Sequence, residues 1–146
     1  MTTLALDWGE ANIGVAVSDG DGVVATPLAV FRLKDIKQNP AQFLELFQKW
    51  QVQLIVCGIP LAADGAENDK SMATKKAVES FVKSLLKENL QSSVRSVLES
   101  IRYYPEYLST KQSNMGLSKK QKHELGDAYA AAHILQAFLD WQRTGI

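Results

Sequence analysis

Three carboxylates in this chain sit where apolar runs end. Asp7 closes the run Leu4-Ala5-Leu6 and is followed by Trp8-Gly9. Glu99 closes Val94-Arg95-Ser96-Val97-Leu98, read here as a strand. Asp127 opens a long Ala-rich helix and heads a stripe of Ala131, Ile134 and Phe138. A carboxylate at the rim of a buried element is costly unless a cation or a hydrogen-bond network offsets it. Three that converge can hold divalent ions through hard oxygen donors. Two such ions about 3.5–4 Å apart can activate water, neutralise a phosphate and stabilise a departing oxygen. Asp7, Glu99 and Asp127 are therefore the expected metal ligands and catalytic residues. The expected ions are Mg²⁺ or Mn²⁺ in a two-metal site. Each acid also has a structural reading: a turn aspartate before glycine, an exposed strand end, and a helix-start acid facing the macrodipole.

The elements that must position these groups follow from periodicity. Residues 3–7, 13–18 and 23–31 are apolar, β-branched-rich runs, and Asp19-Gly20-Asp21-Gly22 is a hairpin signal between the last two. Asn39-Pro40 offers a helix start, with Phe43, Leu44, Phe47 and Trp50 at helical spacing. Residues 53–59 read as a buried strand, 71–88 as a helix, 94–99 as a strand, and His123 to Arg143 as the last helix. Tyr103-Tyr104-Pro105 reads as a break and 111–122 as a polar loop. The order βββαβαβα predicts an α/β fold: three antiparallel strands, then two parallel additions, flanked by helices. Asp7 then lies on the central strand.

A chain of 146 residues with 46% hydrophobic and 22% charged residues reads as one domain spanning 1–146. The single cysteine, Cys57, lies in an apolar strand and reads as a core residue of a cytoplasmic protein. No run approaches the ~20 apolar residues of a membrane span, and no signal peptide is visible at the N-terminus. Net charge is zero, which counts against a strongly basic nucleic-acid binder. Charge is nonetheless segregated. Residues 1–31 contain Asp7, Glu10, Asp19 and Asp21 and no Lys or Arg. The segment 102–124 carries Arg102, Lys111, Lys119, Lys120 and Lys122 against Glu106 and Glu124; these cations are the expected contacts to nucleic acid, and charge alone equally fits a solvated loop with scattered lysines. His123 could assist proton transfer or be a surface residue.

Leu6-Asp7-Trp8-Gly9 with Ile13-Gly14-Val15-Ala16-Val17-Ser18-Asp19 resembles the opening signature of the YqgF/RuvX proteins, described as Holliday-junction resolvases and pre-16S ribosomal RNA nucleases. Gly58-Ile59-Pro60-Leu61 with Asp64-Gly65 resembles that family's second signature, and Asp127-Ala128-Tyr129-Ala130-Ala131-Ala132 its C-terminal helix. The resemblance implies a ribonuclease H-like fold and a nuclease acting on branched DNA or on a ribosomal precursor RNA, as monomer or homodimer. The family usually carries Asp-Glu-Arg-Leu-Thr-Thr after a late strand. Glu99 is matched to that glutamate here, and Ser100-Ile101-Arg102-Tyr103 then departs from the pattern. That departure leaves open a second reading, a nucleic-acid- or ribosome-binding module whose catalytic centre has decayed. A third, a phosphate-binding hairpin of the sugar-kinase type built on Asp7-Trp8-Gly9, needs a second domain that 146 residues do not supply.

Overall fold

A computed structural model describes residues 1–62, 64–106 and 119–145, with backbone alone over 119–124. Its centre is a five-stranded mixed sheet. Strands β1 (Thr3–Trp8), β2 (Asn12–Ser18) and β3 (Ala25–Arg32) form an antiparallel meander. Strands β4 (Leu54–Ile59) and β5 (Arg102–Pro105) add in parallel on the other side of β1. The spatial order β3-β2-β1-β4-β5 puts β1 in the middle, as expected. All six residues of β4 are buried, which suits an interior parallel strand covered on both faces.

Side-chain alternation divides the interior into two layers. Leu4, Leu6, Ile13, Val15, Val17, Ile55 and Cys57 face one way. Four helices supply the covering side chains there. They are α1 (Leu33–Gln38), α2 (Ala41–Lys49), α3 (Asp69–Leu85) and α4 (Ser92–Glu99). Phe43 is the hub, meeting Phe31, Phe47 and Phe81 at centroid distances of 5.9, 5.7 and 5.5 Å. Ala5, Ala16 and Val56 face the opposite way, against Ala131, Leu135, Phe138 and Leu139 of α5 (Lys119–Thr144). Alanines on both surfaces let this helix approach the sheet closely.

The strand expected at 94–99 is a helix. Val94, Val97, Leu98 and Ile101 recur at the i, i+3, i+4, i+7 spacing of a helical face, and all four pack toward the first core. The strand instead begins at Arg102 and ends at Pro105. Pro105 is tolerated because β5 is an edge strand, where a missing N–H breaks no ladder on the open side. The observed order is βββααβααβα, with the short helices α1 and α4 added to the expected pattern. No helix among the described residues is long and apolar enough to cross a membrane.

Candidate active site

Asp7 lies near the carboxyl end of the central strand, on the face that α5 covers. It is paired with Gly14 across β1 and β2. The parallel register Leu6–Cys57, continued by one residue, puts Gly58 on its other side, and Gly58 is paired with Tyr104 of β5. The aspartate is thus flanked by two residues without side chains. Other chain segments fill the space. A methyl group built on Gly14 would overlap the backbone carbonyl of Asp127. One built on Gly58 would come within 2.6 Å of Ile134 Cδ1 and 3.0 Å of Glu106 Cγ. The two glycines are therefore the seats on which the Asp127 turn of α5 and the Glu106 side chain approach Asp7, and α5 begins at Lys119, eight residues before the aspartate expected to open it.

Gly14→Ala should be severely disruptive, because the obstacle is helix backbone and not the tip of a flexible side chain. A loss of about 2–3 kcal/mol or more is expected, in the range of core overpacking. Gly20, with nothing within 4 Å of a built methyl, is the control and should tolerate alanine. Urea denaturation of both variants checks this. A Gly14→Ala protein as stable as Gly20→Ala would refute the close seat.

Glu106 directly follows β5 and hydrogen-bonds Asp7. Burial pushes the Asp7 carboxyl up to about 7. The charge of Glu106, its hydrogen bond and the charge of Asp127 add in that order. Among the described residues no cation opposes these effects. The structure brings Asp127 near enough to Asp7 for its charge to act there, and it places Glu99 away from both. Glu99 is exposed at the carboxyl end of α4, before β5 begins. In a parallel sheet that is the end remote from Asp7. The family's late-strand segment is better matched by Pro105-Glu106-Tyr107-Leu108-Ser109-Thr110, where tyrosine stands in place of arginine. The shift of seven residues follows from mistaking α4 for the strand.

The remaining expected residues fare differently. Arg102 is exposed at the start of β5, in register with Val56 and so short of the Asp7 level. Lys111 lies outside the described residues. Lys119, Lys120 and Lys122 lie on the first turns of α5, as does His123, and their side chains are likewise outside the described set. Cys57 is fully buried on the opposite face, and burial with the charges of Asp7 and Glu106 pushes its thiol up, so it remains a neutral core group.

Asp7 and Glu106 open into a cleft of about 570 Å³ at the carboxyl ends of β1 and β4. The turn Trp8-Gly9-Glu10 and Pro60 form its base, and α1 and α3 contribute its walls. Open α/β sheets characteristically bind ligands at this end of their strands. The donor set is all carboxylate oxygen, which fits a hard divalent cation and not a soft one. Asp127 acts on Asp7 through charge, with no hydrogen bond to it, and among the described residues no three acids, histidines or cysteines form a ready-made ligand cluster. The excess negative charge around the buried Asp7 is the feature that fits such an ion.

A family profile described as "RuvX: Holliday junction resolvase" matches residues 1–141. A protein of Syntrophomonas wolfei named "Putative pre-16S rRNA nuclease" is 33% identical over 96% of this chain and 94% of its own length. One of Ruegeria with the same name is 36% identical over 98% of this chain and 87% of its own. Among solved structures, Thermus thermophilus RuvC in complex with a Holliday junction substrate superposes with a TM-score of 0.56 at 12% identity, covering 99% of this chain and 97% of that one. The fowlpox virus Holliday junction resolvase gives 0.50 at 11% identity, covering 97% and 99%.

Proposed function

Because the chain belongs to the RuvX family and has a ribonuclease H-like fold, we propose that it is a divalent-metal-dependent nuclease whose acidic centre is Asp7, Glu106 and Asp127. One observation carries this reading. The central-strand aspartate is held between two glycines so that acids from two distant elements approach it at the mouth of an open cleft. A purely structural aspartate would have a cationic or amide partner, and among the described residues Asp7 has further acids instead.

Hydrolysis adds water to phosphorus and breaks one ester P–O bond, with a proton passing from the water to the departing oxygen. Bound divalent ions would acidify the water and offset charge on the phosphate. Asp7, Glu106 and Asp127 would hold such ions through their carboxylate oxygens, with Asp7 on the central strand and the other two on separate elements. The end of the central strand and the Asp127 turn of α5 seated on Gly14 supply the preorganisation that such a site needs.

The favoured substrate is precursor 16S rRNA. Relatives above 30% identity over nearly the whole chain bear that name, whereas junction DNA enters through the description of the family profile and through structures at 11–12% identity, which speak to fold. The decayed-module reading rested on the segment after Glu99, and relocation of the acid to Glu106 removes that basis. A cleavage panel tests the proposal: precursor rRNA fragments, four-way junction, duplex and single strand, each with Mg²⁺, Mn²⁺ or chelator. Metal-dependent cleavage is expected, strongest on the rRNA precursor. Absence of cleavage on every substrate with either ion would overturn it.

A further inference from the structure

The acidic cleft has an electrostatic difficulty that the sequence makes plain. A nucleic-acid strand must approach Asp7, Glu10 and Glu106, and no Lys or Arg occurs in residues 1–31 to compensate. Cations have to come from elsewhere in the fold. Two do. Lys37, in the last turn of α1, and Lys70, in the first turn of α3, both line the same cleft. Both are exposed, and among the described residues neither forms an ion pair, although Asp35 and Asp69 are near them in sequence.

The helix bearing Lys70 is shaped for an occupant. Lys70, Ala73, Thr74 and Ala77 occur at the i, i+3, i+4, i+7 spacing, so α3 presents one face of small residues to the cleft with a cation at its head. That head is held in place: the Asn68 side chain accepts from Ser71 N–H at 2.8 Å, and Ser71 Oγ accepts from Asn68 N–H at 3.0 Å. Leu33 and Ile36 anchor α1 in the core and set Lys37 on its outer side. Two lysines on separate anchored helices thus share one cleft with the acids. Lysine binds phosphate as a flexible point charge, which suits a backbone contact without base preference.

We infer that Lys37 and Lys70 form a phosphate clamp, holding the substrate's sugar–phosphate backbone beside the phosphodiester that the acidic centre cleaves. The inference rests on the nuclease reading and adds the residues that position its substrate. Phosphodiester backbone is common to RNA and DNA, so the clamp itself does not choose between them.

The test is a salt series of binding isotherms by fluorescence anisotropy, run in parallel on a precursor rRNA hairpin and a four-way DNA junction. The full chain carries Asp7→Asn throughout to prevent cleavage. Lys37→Ala/Lys70→Ala should flatten the dependence of log affinity on log salt by about 1.4–1.8, or roughly 0.7–0.9 per lost contact. Both arms should be affected if the clamp reads only phosphate. An effect on one arm alone would support the clamp and assign its strand. Lys37→Arg/Lys70→Arg should restore the slope. In the cleaving protein the alanine pair should raise KM more than it lowers kcat. Lys34→Ala/Lys76→Ala, exposed on the same helices but outside the cleft, is the charge-matched control. Equal losses in control and test pairs, or an unchanged slope in the test pair while the parent binds, would overturn the clamp and leave the nuclease reading standing. If the parent binds neither arm and the unmutated chain cleaves nothing, both fall.

Discussion

Asp7→Asn is expected to lower metal-dependent cleavage by more than ~100-fold. Loss of a group that merely orients a metal ligand typically costs 10–100-fold, and Asp7 is proposed as a direct ligand, whose loss should cost more. The same substitution should stabilise the metal-free protein at neutral and alkaline pH. Asp7 has an ordinary value of 3.8 and is pushed to about 7 by burial and by its acidic neighbours. Below about pH 4 the folded and unfolded chains both hold this proton. Between about 4 and 7 the unfolded chain releases it and the folded chain retains it. Stability therefore falls as pH rises across that window and levels off above it. The full span is roughly 4 kcal/mol. Asparagine cannot ionise, and its amide can still donate to Glu106. Urea denaturation with chelator at pH 5 and pH 8 should show a fall for the parent and a much flatter response for the variant. Parallel pH responses in the two proteins would remove the basis for a strained, uncompensated Asp7. Full cleavage activity in the variant would remove its assigned role.

The second large effect separates two glutamates. Glu106→Gln should also abolish cleavage by more than ~100-fold, since Glu106 is the acid that hydrogen-bonds Asp7 in the cleft. Glu99→Gln should leave turnover within about twofold and stability within about 0.5 kcal/mol, as for an ordinary surface position. Calorimetric titration with Mn²⁺ provides an independent readout: binding should weaken in the first variant and persist in the second. The opposite ranking would mean that the register of β5 is wrong by two turns' worth of chain, and with it the whole assignment of the third acid.

Four of the five strands were legible because each is a run dominated by apolar side chains, and Asp19-Gly20-Asp21-Gly22 marks the hairpin between β2 and β3. Asp19 Oδ1 does accept from Val23 and Val24 N–H, at 2.7 and 3.1 Å. Asp7 was legible as a lone charge ending such a run, and Asp127 as the head of a helical stripe. Glu106 was missed for a local reason. The β-branched residues Val94 and Val97 suggest a strand, yet their spacing with Leu98 and Ile101 is helical. Tyr103-Tyr104-Pro105 looks like a break only if the strand is assumed to be internal. An edge position, which depends on the whole topology, makes the proline acceptable. The roles of Gly14 and Gly58 were less accessible still. Their motif identity was visible, but what occupies their missing side-chain space is contributed by residues far away in the chain. The same holds for Lys37 and Lys70, whose shared cleft exists only after α1 and α3 have docked.

The Asp127 backbone rests directly on Gly14, so an ion held jointly by Asp7 and Asp127 would also fasten that turn of α5 to β2. Loading of the centre and docking of that turn would be one linked equilibrium, and linkage is reciprocal. Whatever loosens the helix there would weaken the ion's hold, and the ion's departure would in turn loosen the helix. Amide hydrogen exchange would register this as protection that grows around residue 127 with ion concentration while the Phe43 core is unaffected. The cation would then serve as a latch as well as a reagent, tightening the helix-covered face of the sheet as it arms the acidic centre.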